Sequence, residues 1–268
     1  MNNVKRPCVL VFAGCDPSGG AGIQADIEAI GTLGAHALPV ITVLTVQDND
    51  RVYSLHPVPA SLIQQQARTL MKKMDIAAIK IGIVGNSENA LAIAGLIDEV
   101  RERNGNVPVV LDPVFASGHG DPLAEGGAID TIAPMMPLAT LITPNLPESI
   151  ALCGGDRRLD SQVQALLMMA PNVLIKGGHG NDPNSVINRW FSENASRTWK
   201  WPRLPGNFHG TGCTLASAIA AMLARGQQMG DAIDLAQSYC NETLESAYTI
   251  ADGQKIPSRA VSLMEEKA

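Results

Sequence analysis

Apolar runs of strand length alternate with amphipathic segments of helix length over nearly the whole chain, and this alternation limits the fold more than any other feature. The runs Cys8 to Ala13, Ala77 to Ile81, Val107 to Leu111, Thr140 to Ile142 and Asn172 to Ile175 read as buried strands. Helical patterns fall at about Ile23 to Leu33, Ala60 to Lys73, Asn86 to Arg103, Pro122 to Met135, Asp160 to Ala170, Asp231 to Ile250 and Ser258 to Glu266. The pattern predicts an α/β fold on a central, mostly parallel sheet flanked by helices. With 268 residues, no internal repeat and no long linker, one domain spanning residues 1–268 is expected.

Composition removes several classes of partner. The net charge is -6, no Lys/Arg run offers a phosphate-tracking patch, and aromatic residues are scarce, so no nucleic-acid partner is expected. No membrane partner is expected either. The opening MNNVKRPCVLVFAG has two basic residues before an apolar run, but Asp16, Pro17 and two glycines follow where a longer apolar region would be needed. Five cysteines, at positions 8, 15, 153, 213 and 240, form no CxxC pair and suit free thiols in a reducing cytoplasm.

In open α/β sheets ligands bind beyond the carboxyl ends of the strands. Here those ends read AGCDPSGGAG, KIGIVGN, DPVFASGHGD, TPNLPES and KGGHGND. In the first, Ser18 is placed to cap the following helix. Gly20, Gly22 and Ala25 satisfy GxGxxA, but CDPSG separates them from the strand and Pro17 stiffens the link, which argues against a dinucleotide turn. Between Ala37 and His56, two β-rich runs joined by Gln-Asp-Asn-Asp read as a flap beside the main sheet, with Gln47 at its bend positioned to overhang a pocket. Its exposed edge would also suit pairing with a second subunit. VINRWF and RTWKW read as a second strand pair, whose tryptophans either pack or form an apolar wall.

The stretch HGTGCTLASAIAAMLARG, His209 to Gly226, joins a glycine-bracketed turn to a long helical pattern rich in small residues. A helix start presents unpaired amides and the positive end of the dipole, and Gly210 and Gly212, on either side of Thr211, lack the Cβ atoms that would obstruct a phosphate there. Cys213 stands at that start, where a thiolate is stabilised, so its pKa is expected to fall toward neutrality and the sulfur to accept an alcohol proton. The plainer reading is a helix entry with a packed cysteine. Lys176 at a strand end could lie along a polyphosphate, or be a surface lysine at a turn. Asn145 and Glu148 could face Mg²⁺ together, or merely cap a helix. Asp112 could join them as an outer metal ligand, or be a turn residue before Pro113. Asp26 has the reading of a solvated carboxylate. His209 shapes the loop and is given no catalytic part. No GxxxxGK[ST] occurs, so an ATP-dependent enzyme of this sequence must hold its phosphates elsewhere.

AGCDPSGGAGIQADI, ITVLTVQ, KIG, LDPV, SGHGDPL, LITPNLPE, IKGGH and HGTGCT, in this order, resemble the hydroxymethylpyrimidine and phosphomethylpyrimidine kinases among the ribokinase-like vitamin kinases. The resemblance covers most of the chain. It implies a ribokinase-like three-layer sandwich with a small β flap, phosphorylation by Mg-ATP in thiamine biosynthesis, and a homodimer formed through the flap. It further implies Gln47 as the residue that recognises the pyrimidine, Asp26 and Gly14 at the substrate, and Cys213 as the base. Lys176 would contact phosphate, and Asn145 with Glu148 would form the magnesium motif. Ile83 and Val84 depart from the methionine usual after KIG, Cys15 stands where serine is common, and Phe115 to Gly120 matches loosely. These departures bear on the pocket's shape and keep a pyridoxal-type substrate open. From another class, a non-catalytic sensor of pyrimidine or nucleotide would fit the same fold.

Overall fold

The computed structural model describes residues 5–115, 123 and 127–260. β1 (Cys8–Cys15) leads to α1 (Gly22–Thr32), and β2 (His36–Gln47) turns into β3 (Val52–Pro57). Then follow α2 (Ala60–Met71), β4 (Ile76–Ile81), α3 (Ser87–Asn104), β5 (Val109–Leu111), α4 (Ala128–Ile132), a 3-10 helix (Ala133–Leu138) and β6 (Leu141–Ile142). The second half holds α5 (Leu146–Leu152), α6 (Leu159–Leu167), β7 (Asn172–Ile175), β8 (Ser185–Ser192), β9 (Ser196–Pro202), α7 (Thr211–Ala224) and α8 (Met229–Glu245).

Among the described residues the strands form one sheet in the order β3-β2-β1-β4-β5-β6-β7-β8-β9. The strands from β2 through β7 in that order are parallel, with an antiparallel β3 at one edge and the β8–β9 hairpin at the other. All five buried strands read from the sequence are present. The flap differs from expectation. β2 is long enough to pair with β1 through its first part and with β3 through its last, so the flap continues the sheet rather than standing beside it.

Successive strand side chains point to opposite faces, and this divides the core into two apolar layers. Leu10, Phe12, Ile79, Ile81, Val109 and Leu111 pack with α2 and α3. Val9, Val11, Ala78, Val110, Leu141 and Leu174 pack with α1, α7 and α8. α7 is buried from Thr214 through Met222, and its small residues allow the close contact with α1 and α8. Continuing the alternation two residues past Ala78, Val110, Leu141 and Leu174 reaches Lys80, Asp112, Thr143 and Lys176. Four polar residues thus arrive on the α7 side near the strands' carboxyl ends.

The helix expected over Pro122 to Met135 is instead the short α4 and the 3-10 helix, because Pro134 and Pro137 cannot donate to an α-helical ladder. Pro122 lies outside the described residues, as do residues 116–120 of the loosely matching loop and 261–266 of the last expected helix. Residues 258–260 are not helical. The tryptophans pack: Trp190 is buried and donates to Asn172, while Trp199 and Trp201 donate to Asp234 and Gln237 of α8.

Candidate active site

α7 starts behind Gly210, whose φ of 73° lies in the left-handed region, and no side chain caps it. Glycine is required there twice over, since a Cβ would also overlap the Gly20 carbonyl. The first ladder bond runs from the Thr214 amide to the Gly210 carbonyl, and among the described residues no acceptor meets the amides of Thr211, Gly212 and Cys213. These residues are half-buried. A Cβ on Gly212 would lie 3.2 Å from Lys176 Nζ and 3.5 Å from Asp112 Oδ2, which places both charged groups directly against the helix start.

Lys176 Nζ donates to Asp112 Oδ1 at 2.6 Å, and Thr143 Oγ1 donates to the same oxygen at 2.9 Å. Lys176 is therefore not a surface lysine. Burial disfavours its charge, but Asp112 and Glu148 outweigh that and hold it protonated. Asn145 bridges to Lys176 in parallel register, as the strand ends converge.

Asn145 and Glu148 do form a capping box at the start of α5: the Glu148 amide donates to Asn145 Oδ1 at 2.9 Å, and the Asn145 amide to Glu148 Oε2 at 2.7 Å. The plainer of their two readings is thus realised. The glutamate of this cap is itself buried. Burial raises the Glu148 carboxyl to about 7, against the pull of Lys176. The oxygens of Glu148, Asp112 and Asn145 are of the hard kind that Mg²⁺ takes. Among the described residues no group of three His, Cys, Asp or Glu forms a cage. That set fits magnesium, which binds through one or two carboxylates and shares its remaining positions between water and phosphates.

Asp26 corrects the solvated reading. It is wholly buried, paired through both oxygens with Lys80 Nζ at 2.8 and 2.9 Å, and it accepts from Ser217 Oγ at 2.6 Å. Cys213 stands one helical turn before Ser217. The lowered thiol pKa expected at a helix start is not found: burial raises it, and Asp26 and Asp112 add to the rise, against the opposing effect of Lys80. Desolvation leads the rise, and the two carboxylates that add to it are distant in sequence.

A second cluster lies at the end of β1, where strand order reverses between β2 and β4. Buried Asp16 accepts from the Ser18 and Ala21 amides at 2.8 and 2.7 Å, so Ser18 is not the cap of α1; Ala21 begins it without a side-chain cap. His209 Nε2 lies 2.8 Å from Asp16 Oδ2 and 3.4 Å from Gln47 Nε2. Gln47, at the end of β2, therefore reaches His209 and, through it, the end of β1. Gly14 stands at a bulge with Ile83 beside it, and a Cβ there would meet only ordinary contacts. The tight backbone approach belongs to Gly22, where a Cβ would overlap the Gly14 carbonyl. Arg259 ties the two clusters together, donating to the Gly20 carbonyl, to Thr214 Oγ1 at 2.8 Å and to Glu28 at 3.2 Å.

A depression of about 630 Å³ lined by Arg6, Leu33, Gly34 and Arg225 opens at the opposite end of the sheet. Its guanidiniums bond the carbonyls that end α1, and it shares no residue with either cluster.

Lys80, Asp16, Thr143, Ser217 and Arg259 were not singled out in the sequence. Lys80 carried a signal, a charge between Ile79 and Ile81 in a buried strand, which obliges a partner. All five cysteines are free thiols. No helix of the described residues is long and apolar enough to cross a membrane.

An uncapped helix start against a lysine and two carboxylates, at the carboxyl edge of a parallel sheet, defines a small-molecule kinase. The phosphomethylpyrimidine kinase family model matches residues 16–258, and the chain belongs to that family. It is 37% identical over 255 residues to the hydroxymethylpyrimidine/phosphomethylpyrimidine kinase of Mycobacterium tuberculosis, covering 92% of this chain and 91% of that one. To the enzyme of the same description from Salmonella typhimurium it is 36% identical, with 94% and 96% covered. Pyridoxal kinase from Staphylococcus aureus, solved with pyridoxal, superposes with a TM-score of 0.86 at 25% identity over 98% of this chain and 97% of its own. The fold is thus ribokinase-like, and the protein is an ATP-dependent phosphotransferase.

Proposed function

We propose that the protein transfers the γ-phosphoryl group of ATP to the hydroxymethyl oxygen of 4-amino-5-hydroxymethyl-2-methylpyrimidine, and then phosphorylates the monophosphate to the diphosphate, in thiamine biosynthesis. The observation that carries this reading is the convergence of Lys176, Asp112 and the free amides of residues 211–213 in front of Cys213. Phosphoryl transfer asks of a protein mainly positioning and neutralisation of charge. In the proposal the amides following Gly210 hold the equatorial oxygens of the migrating group, and Lys176 lies along the polyphosphate. Mg²⁺, held through Glu148 with Asp112 behind it and Asn145 nearby, supplies charge neutralisation on the phosphates when bound. Gln47 and Gly14 border the pyrimidine; Asp26, spent on Lys80 and Ser217, acts from behind rather than by contact. Residues 1–268 act as one catalytic domain in the cytoplasm.

In the first step the alcohol oxygen forms its bond to phosphorus as the bond to ADP breaks, and the alcohol proton passes to the Cys213 thiolate. Because the thiol is raised, that thiolate is a minor species at neutral pH, so the rate should climb through the alkaline range. In the second step the acceptor is a phosphate oxygen that needs no base. Cys213→Ser is therefore expected to lower the first turnover by about 10²-fold or more and the second by much less, with ATP binding retained. Steady-state assays with each pyrimidine and Mg-ATP decide it. Equal losses in both steps would remove Cys213 as the base, and turnover of pyridoxal alone would replace the substrate.

The flap carries Leu44 and Val46 exposed on β2 and Tyr53 exposed on β3, apolar side chains that support a homodimer formed there. Sedimentation should give a dimer that Val46→Asp converts to monomer; a wild-type monomer would end this part.

A further inference from the structure

Arg259 is 1% exposed, and burying a guanidinium costs free energy unless its hydrogens find acceptors. It ends a segment that returns from α8 to the start of α7. The His209 amide donates to the Lys255 carbonyl and the Lys255 amide to the Asn207 carbonyl, both at 2.9 Å. Further on, the Ser258 amide donates to the Thr243 carbonyl at 2.9 Å, and Tyr239 Oη to the Arg259 carbonyl at 2.7 Å. The guanidinium then reaches the turn at Gly210 by two routes. It donates to the Gly20 carbonyl, and its Nε donates at 2.8 Å to Thr214 Oγ1, whose own hydrogen goes to the Gly210 carbonyl at 2.8 Å. A Cβ on Gly210 would stand 2.9 Å from Arg259 Nη2. The fork is therefore set against the residue whose left-handed conformation opens the helix.

Its charge is also the least cancelled of the three cations around the start of α7. Lys80 and Lys176 each bond a buried carboxylate, Asp26 and Asp112. Arg259 spends two bonds on neutral oxygens, and its ion-pair partner Glu28, at 3.2 Å, is 53% exposed. Water screens that carboxylate far better than it screens the buried guanidinium. Asp16, the other carboxylate at this turn, is engaged by the Ser18 and Ala21 amides and by His209. We propose that Arg259 is a positioning residue for phosphoryl transfer: its buried charge strengthens the field at the start of α7, while its fork holds the Gly210 turn so that the amides of residues 211–213 stabilise the migrating phosphoryl group. Its side chain is 0% exposed, so it acts through the turn and not by contact with substrate. The inference rests on the reading of those amides as the phosphoryl site.

The test measures the single-turnover rate of the first phosphorylation at saturating Mg-ATP. Arg259→Met should lower it by about 20-fold or more, with KM for the pyrimidine changed by less than about twofold. Arg259→Lys, which restores the charge, should come within about fivefold of the wild type. Glu28→Gln removes the countercharge and should leave the rate at the wild-type value or raise it by up to about threefold. Tyr239→Phe frees the same segment from an anchor without altering the guanidinium; it should lower Tm yet keep the rate within about twofold. A merely structural brace gives a different pattern, in which Glu28→Gln and Tyr239→Phe lose rate and Tm together and Arg259→Lys rescues nothing. That pattern overturns the proposal and leaves the kinase reading intact, as does an Arg259→Met rate within about threefold of the wild type. Should Arg259→Met fail to fold, a loss of more than about threefold in Glu28→Gln overturns it by itself. Absence of turnover in the wild type overturns both.

Discussion

Lys176→Met is expected to lower kcat/KM for phosphoryl transfer by about 10²- to 10³-fold, the scale of losing one preorganised electrostatic group at a site of charge development. The effect should exceed that of a missing phosphate contact because Lys176 also balances its own neighbours. Its ammonium is 2.6 Å from Asp112 and works against the burial that raises Glu148 to about 7. Removing it moves Glu148 further upward. A carboxylate whose folded pKa is raised is protonated below that value and ionises only as pH rises through it, so the metal-binding form is scarce on the acid side. In the wild type, the magnesium concentration for half-maximal rate should therefore increase as pH falls from 8.5 to 6.5. In the variant the whole dependence should move to higher pH. Lys176→Arg should recover little, since the space beside Gly212 is taken up by the lysine itself, with Nζ only 3.2 Å from a Cβ position. Magnesium titrations at several pH values measure all three. A magnesium requirement that does not change with pH would remove Glu148 from the metal.

The parts of this site that could be read in the sequence are those whose geometry is local. A strand end followed by glycines, the NxxE spacing of a capping box and a glycine turn into a helix each fix their own backbone within a few residues. In the structure Lys176 and Asp112 stand against the start of α7, and Asn145, bridged to Lys176, forms the α5 capping box with Glu148. What could not be read depends on packing between distant elements. Lys80 and Asp26 are 54 residues apart, and only the packing of α1 on β1 and against α7, with α7 over β4, makes them partners. The same distance in sequence misled the expectation for Cys213. The helix dipole is a local property and points to a lowered thiol pKa, but burial by the packed elements raises it, and Asp26 and Asp112, arriving from other elements, add to the rise. The flap was legible as two strands, yet nothing within Pro39 to Val46 says that its outer edge pairs with β3 while its inner residues pair with β1.

Lys80→Met should be the most destabilising of the single changes considered, by about 3–5 kcal/mol, because it leaves the Asp26 carboxylate buried with only a serine hydroxyl for a partner. For a chain of this size that is a fall in Tm of roughly 10 °C. The pair itself is a different matter. Both side chains are 0% exposed, so each charge has given up its water, and their attraction mostly returns what was lost. Lys80→Met combined with Asp26→Leu should therefore recover half or more of the stability lost in Lys80→Met alone. The orphaned Ser217 hydroxyl can bond back to the carbonyl one turn earlier in α7. Thermal melts of the two single variants and the double variant give the coupling directly. Stability and turnover should then separate. Lys80 opposes the rise of the Cys213 thiol more than Asp26 adds to it, so the double variant, though well folded, should shift the alkaline rise of the first phosphorylation to higher pH, by less than Lys80→Met alone does. A double variant that is stable and fully active would show that the buried pair serves only to fix α1 and α7 to the sheet.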